Sequence, residues 1–293
     1  MTQVLVAAGG FAEPALDGAA LKRLRGVLPA GAAERVLAPG VAHEWHLDMV
    51  ADDLVAVLPA LGDELAIDLN LVPADGRRKA VLIADMDSTI ITGESLDDLA
   101  AMVGIGDEIA AITAQAMRGE LDFDGALCAR VARLAGQPAS LLDRLRAEIT
   151  LNPGARQLVA TMRAHGAHCA LVSGGFTAVT GWVAETLGFD SHRGNTLEIA
   201  DGTILGTVRP PILGRDAKVT ALREIAATRG VSAAAVVAVG DGANDLAMLA
   251  AAGFGVAFHA KPAVRAAAAQ RIEYGDLTGL LFLQGFEVSD FAQ

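Results

Sequence analysis

Two aspartates separated by one residue stand in Asp85-Met86-Asp87-Ser88-Thr89, directly after the apolar run KAVLIA. On an extended chain, residues two apart project the same way, so both carboxylates can serve one site. One can attack a phosphorus while the other handles the leaving-group proton and then the proton of the attacking water. A solvated acidic strand end is the plain alternative, and for the pair alone the two readings are about evenly matched.

Three other groups follow apolar runs or an expected helix start. Gly240-Asp241-Gly242-Ala243-Asn244-Asp245 closes AVVAVG. Asp241 and Asp245 are expected one helical turn apart, so both reach the same crevice. Carboxylate oxygens suit Mg²⁺, which binds through one or two carboxylates plus phosphate and water. Ser173-Gly174-Gly175 follows HCALV, where a hydroxyl and backbone N–H groups at an expected strand-to-helix junction would form an anion nest. Lys218, in RDAKVTALREI, falls near the start of an expected helix and can neutralise phosphate charge. Each group also has a structural reading: helix cap, tight turn, solvated lysine.

The elements that must position these residues read as a doubly wound α/β sheet. KAVLIAD, HCALVSG and AVVAVGD are nearly all-apolar runs, as central parallel strands covered on both faces should be. In such sheets the ligand crevice lies at the carboxyl ends of the strands, where Asp85, Ser173-Gly174-Gly175 and Asp241 fall. About 80 residues separate the first two strands, more than one crossover helix needs. SLDDLAAMV, DEIAAITAQAM, DFDGALCARVARLA and PASLLDRLRAEI read there as amphipathic helices, a cap inserted over about 93–149. NTLEIA-DG-TILGTV reads as a β-hairpin through its Asp-Gly turn.

Residues 1–75 read as a separate β-α-β-β-α-β module, ferredoxin-like or ACT-like, ending in the strand ELAIDLNLV. Pro73 to Arg78 has linker character. The expected division is therefore 1–75 and 76–293, the core being about 76–92 and 150–293. No motif in 1–75 carries chemistry. Serine regulation, homodimer formation and simple stabilisation are all compatible with such a module.

The 293 residues carry a formal charge of 23 − 35 = −12. That balance argues against nucleic acid as a partner, since phosphate backbones need clustered Lys and Arg. The hydrophobic share is 53%, yet no apolar run reaches the ~18–20 residues a membrane span needs. The start lacks the charged and apolar regions of a signal peptide, and Cys128 and Cys169 read as reduced thiols. A cytoplasmic enzyme is the expectation. His43/His46 and His165/His168 form pairs without a third ligand at zinc-like spacing and read as solvated or capping.

In order and spacing, DxDST, SGG, Lys218 and GDGAND resemble the haloacid dehalogenase superfamily, and residues 79 to about 275 resemble its phosphoserine phosphatase branch. The resemblance implies a Rossmann-like core with a helical cap, and Mg²⁺-dependent hydrolysis of a phosphate monoester. It makes Asp85 the phosphorylated nucleophile and Asp87 the general acid and base. Asp85, the Asp87 carbonyl and Asp241 become the metal ligands, with Asp245 orienting their surroundings. Ser173 and Lys218 would hold the phosphate, and Gly174 and Asn244 would line the substrate site.

Substrate choice follows from the same resemblance. Glu94 falls where the family reads the serine ammonium, Arg130 where an arginine grips the carboxylate, and Met117 and Phe123 where cap residues close over the ligand. A zwitterionic amino acid needs one fixed anion and one fixed cation, and arginine offers carboxylate a bidentate fork. The chain departs from the family at Ala126 and Cys128, where a serine and an arginine are usual, which leaves room for another small substrate such as phosphohomoserine. A non-catalytic amino-acid sensor is the alternative of a different class, although such a descendant would be expected to have lost Asp85 or Lys218.

Overall fold

The computed structural model describes residues 2–118 and 120–292, without the side chain of Met117. The chain begins β1 (Gln3–Ala8), α1 (Gly18–Val27), β2 (Ala33–Ala38), β3 (Ala42–Leu47), α2 (Asp52–Leu65) and β4 (Asp68–Pro73). These strands form an antiparallel sheet in the order β2-β3-β1-β4. Successive residues of β1 face opposite sides of the sheet. Leu5 and Ala7 join Leu24 of α1 and Leu54 and Leu58 of α2, whereas Val4 and Val6 join the core of the remaining chain. The α2 boundary differs from expectation: the helix runs through Glu64-Leu65, which had read as part of the last strand. Leu58 and Leu61 prolong its buried face, and Ala66, left-handed at φ 51°, ends it.

The segment after β4 is exposed at Pro73, Asp75, Gly76 and Arg78, as its linker composition suggests, but it is anchored at one residue. Arg77 is buried, with Nη2 2.8 Å from Glu44 Oε2 and Nε donating to the Leu283 carbonyl at 3.1 Å. A charge can be buried there because β3 and the C-terminal helix each present acceptors. Composition alone could not show those partners. Asp68 and Asn70 of β4 add a second seam: Asp68 accepts the N–H groups of Glu273, Tyr274 and Gly275, and Asn70 pairs with both backbone groups of Arg271.

The second sheet has seven strands in the order β11-β10-β9-β5-β6-β7-β8. They are β5 (Val81–Ala84), β6 (His168–Phe176), β7 (Ser191–Ala200), β8 (Thr203–Arg209), β9 (Val236–Gly240), β10 (Phe254–Phe258) and β11 (Gln270–Ile272). All adjacent pairs are parallel except β7·β8. The β7–β8 hairpin turns at Asp201-Gly202, both at positive φ, as the Asp-Gly pair requires. The chain leaves β5 for β6 on one side and returns to β9 on the other, so the crevice of a topological switch opens above β5.

Between β5 and β6 come α3 (Ser95–Met102), α4 (Gly106–Met117), α5 (Phe123–Ala132), α6 (Leu141–Glu148) and α7 (Ala155–Ala164), the first four matching the expected cap helices. Then follow α8 (Thr177–Leu187), α9 (Arg215–Thr228), α10 (Leu246–Ala251), α11 (Pro262–Ala267) and α12 (Gly279–Leu283). Asp122 caps α5 by accepting the Gly125 N–H at 2.8 Å, which fixes where the helix carrying Phe123 and Arg130 begins. No helix among the described residues is long and apolar enough to cross a membrane.

Candidate active site

The site is built on the carboxyl ends of β5, β6 and β9. The N–H of Asp85 donates to the Val239 carbonyl at 3.0 Å, which locks the end of β5 to β9. Beyond it the chain turns sharply: the N–H groups of Thr89, Ile90 and Ile91 all donate to the Met86 carbonyl. Met86 is fully buried beneath the turn, so its neighbours Asp85 and Asp87 face the opposite way, into the cavity. Ser88 holds a left-handed φ of 54° and donates its hydroxyl to Glu94 at 2.8 Å.

One cavity of about 180 Å³ is lined by Asp85, Asp87, Glu94, Phe123, Arg130, Ser173, Gly174, Asp241 and Asn244. The structure thus brings every expected site residue to this cavity except three, of which Asp245 is buried beside Lys218. Lys218 lies beneath the floor, almost fully buried, and reaches Asp85 from behind. The side chain of Met117 lies outside the described residues. A larger cleft of about 790 Å³ beside the N-terminal sheet contains no such pair of carboxylates around a buried lysine.

Lys218 Nζ stands 2.7 Å from Asp85 Oδ1 and 2.6 Å from Asp245 Oδ1. Burial alone would lower its pKa, but these two carboxylates outweigh burial and raise it, so the ammonium stays charged. Asp245 Oδ2 also accepts the Gly242 N–H at 3.1 Å, which ties the loop after β9 to the lysine. Burial, reinforced by Asp85, pushes the Asp245 carboxyl up against the pull of Lys218.

Asp87 has a different setting. Its Oδ1 accepts the Ser95 N–H at 2.8 Å, and its Oδ2 accepts the Ser173 hydroxyl at 3.3 Å. Burial pushes its pKa up to about 7, with the charges of Asp85 and Glu94 adding to the effect. A carboxyl poised near neutrality can give and take a proton at working pH. The two carboxylates of DxD are therefore set apart by their surroundings, one paired to a lysine and one poised to exchange a proton near neutral pH.

Asp85, Asp241 and Asp245 are all buried, and one ligand oxygen from each lies within 4.8 Å of the others. Asp241 is pushed up to about 6 by burial and by Asp85. A buried cluster of three carboxylates sharing one lysine is short of positive charge, and an oxygen-only donor set of this kind fits a hard divalent cation.

Two local expectations need refinement. Ser173-Gly174-Gly175 falls beside the expected strand-to-helix junction but on its strand side, and forms no tight turn: β6 continues to Phe176, and α8 starts at Thr177. The glycines have a steric reason instead. A Cβ on Gly175 would lie 2.9 Å from Asp87 Oδ2, and one on Gly174 would lie 3.1 Å from the Phe123 ring. Ser173 Oγ accepts the Gly175 N–H at 2.9 Å, which keeps the hydroxyl turned inward. Asp241 and Asp245 likewise do not share a helix, because α10 begins at Leu246; a turn over 241–245 brings them together.

Among the histidines, His43 is buried and bonded to Glu34 at 2.8 Å, which corrects its reading as a solvated group. Cys128 lies exposed and does not line the cavity, so the departure from the family pattern there falls outside the substrate wall. Three residues at the site were not foreseen. Ser95 and Asp97 line the cavity at the start of α3, and Lys261 stands at its rim with Nζ 3.8 Å from Asp241 Oδ2. A signal for Lys261 existed: FGVAF is an apolar run like the other core strands, and Lys261 follows its end by three residues.

Comparison with known proteins agrees with this geometry. The family described as haloacid dehalogenase-like hydrolase matches residues 82–250. A phosphoserine phosphatase of Streptomyces coelicolor is 49% identical over 223 residues, which cover 75% of this chain and 54% of that protein. This chain thus spans about half the length of that relative. A phosphoserine phosphatase of Streptococcus thermophilus is 44% identical over 68% of this chain and 93% of its own. Among solved structures, a HAD family hydrolase from Salmonella enterica serovar Typhi superposes with a TM-score of 0.87 at 29% identity, covering 96% of this chain and 98% of the other. The match spans more than half of the sequence and includes the strand ends that carry the carboxylates: the chain belongs to the haloacid dehalogenase-like hydrolases.

Proposed function

We propose that this chain is a Mg²⁺-dependent phosphatase that hydrolyses O-phospho-L-serine to L-serine and phosphate, the last step of serine biosynthesis. The observation that carries the reading is one small cavity holding Asp85 together with a second acidic group, Glu94, and a guanidinium, Arg130. Those two groups complement the ammonium and carboxylate of an amino acid while Asp85 faces its phosphate. The phosphoserine phosphatases it resembles support the same substrate.

In the proposed sequence Asp85 Oδ attacks phosphorus, and the bond from phosphorus to the serine oxygen breaks. Asp87, protonated near neutrality, gives its proton to that oxygen. The resulting carboxylate then takes a proton from the water that attacks the aspartyl phosphate, which releases inorganic phosphate and restores both residues. Lys218 and the Ser173 hydroxyl hold the phosphoryl oxygens, and Phe123 of the cap shields them from bulk water. Asp85, Asp241 and the Asp87 carbonyl would hold Mg²⁺, which when bound neutralises charge on the phosphoryl group.

The barrier shows why so many groups converge. Hydrolysis of such esters requires acceleration approaching ~10²¹-fold, about 28 kcal/mol. Acid–base help supplies about 3–5 kcal/mol and positioning about 7–11, leaving the larger share to electrostatics. A cytoplasmic setting fits the two unpaired cysteines.

The test is a kcat/KM panel of phosphoserine, phosphothreonine and glycerol phosphate, with Mg²⁺ and with excess EDTA. Phosphoserine should lead, and EDTA should abolish turnover until Mg²⁺ is restored. Equal values across the panel would remove the substrate assignment, and full activity in EDTA would remove the metal.

A further inference from the structure

We propose that Lys261 receives the incoming phosphate at the mouth of the site and draws an anionic ester into a pocket whose own charge opposes it. The proposal rests on the phosphatase reading above and adds a residue that steers and binds substrate.

The charge balance creates the need. Counting Asp245 and Lys218 with the cavity wall, six carboxylates (Asp85, Asp87, Glu94, Asp97, Asp241, Asp245) face three cations (Arg130, Lys218, Lys261), a formal 3 − 6 = −3 before Asp87 takes its proton and before Mg²⁺ binds, and those two additions would bring the site only to about neutral. The whole chain adds a background of −12. Lys218 is enclosed between two carboxylates below the cavity, so it serves a phosphate already seated on Asp85 and not one approaching from solvent. The protein's own charges therefore set a field against an approaching phosphate dianion, which the metal would offset only inside the site.

Lys261 is placed to reverse that field at the entrance. Its side chain is 67% exposed, yet it lines the same cavity as Asp85 and points toward Asp241. Its backbone is firmly mounted: the Lys261 N–H donates to the Asp241 carbonyl at 3.1 Å, and Pro262 starts α11 immediately after it. Two residues earlier, the His259 N–H donates to the Ile272 carbonyl at 2.8 Å and Nε2 contacts the Gly275 carbonyl at 2.9 Å. Gly275 is held in turn by Asp68. A flexible ammonium on a rigid base at a pocket rim suits capture and hand-over better than fixed recognition, for which the fork of Arg130 is the better tool.

The experiment measures kcat and KM for K261Q, K261E and K261R with phosphoserine and with p-nitrophenyl phosphate, at about 0.02 M and 0.5 M NaCl. None of these changes touches the backbone bond to Asp241. Taking a separation of about 8 Å between the dianion and the lost charge, kcat/KM should fall about three- to fivefold in K261Q at low salt and about tenfold or more in K261E. K261R should stay near wild type, and at high salt all variants should converge to within about twofold. The loss should fall on KM. A loss confined to kcat, a loss independent of salt, or none at all would overturn the proposal. Failure of wild type to prefer phosphoserine, with the salt-dependent loss persisting on p-nitrophenyl phosphate, would remove the substrate assignment and leave Lys261 standing. Should neither ester turn over, calorimetric affinity for inorganic phosphate must show the same ranking and salt dependence, and equal affinities would refute the steering role.

Discussion

Replacing Lys218 with methionine isolates the electrostatic centre of the site. The ammonium lies 2.7 Å and 2.6 Å from two carboxylate oxygens and is 1% exposed. At an effective dielectric of about 20, each contact is worth roughly 6 kcal/mol of attraction before desolvation is charged against it. Removing one partner of such a buried set costs about 3–5 kcal/mol, because the remaining charges stay buried and uncompensated. Against a total stability of about 5–15 kcal/mol, the variant should fold but lose much of its margin at pH 8. The pH dependence gives the signature. Burial and Asp85 already raise the Asp245 carboxyl, and losing Lys218 raises it further. An acid whose folded pKa lies above its unfolded one binds more protons when folded, so stability rises as pH falls through the folded value. Urea denaturation in EDTA at pH 8 and pH 5.5 should therefore show a deficit that shrinks at the lower pH, while kcat in Mg²⁺ drops by about 10²–10³. An unchanged midpoint at pH 8, or a deficit that grows on acidification, would refute the claim that this lysine supports the two carboxylates.

Asp85→Asn should abolish turnover, by at least about 10⁴-fold, with the thermal unfolding profile retained; near-normal hydrolysis would exclude a covalent intermediate there. Because Asp87 must carry a proton to serve the leaving group and titrates at about 7, kcat/KM should decline as pH rises above that value. In Asp87→Asn the limb should vanish along with most activity, and a limb that survives belongs to another group. Arg130→Lys should raise KM for phosphoserine about 10- to 100-fold with far less effect on p-nitrophenyl phosphate, since only the bidentate fork is lost. A parallel rise for both esters would show that Arg130 does not read the carboxylate.

Legibility from sequence followed the range of the interactions involved. Asp85, Ser173 and Asp241 were readable because apolar runs end in them, and parallel strands put such ends on one edge whatever the connections between them. The cap helices and the Asp201-Gly202 hairpin were readable because their periodicity is local. The local geometry of GDGAND and SGG was not, since the turn over 241–245 answers to Lys218 and the continuation of β6 answers to Asp87 and Phe123. The same reasoning explains Arg77. As part of Arg77-Arg78-Lys79 it looked like a solvated linker charge, and nothing within the sequence window names Glu44 or the Phe282 and Leu283 carbonyls as its partners. A buried ion pair is a long-range fact, visible only when both sides are in place. Lys261 sits between these cases. The apolar run FGVAF that precedes it carries a local signal, but its function depends on six carboxylates supplied by the ends of β5 and β9, the turns that follow them and the start of α3, so its charge acquires meaning only against the field they create.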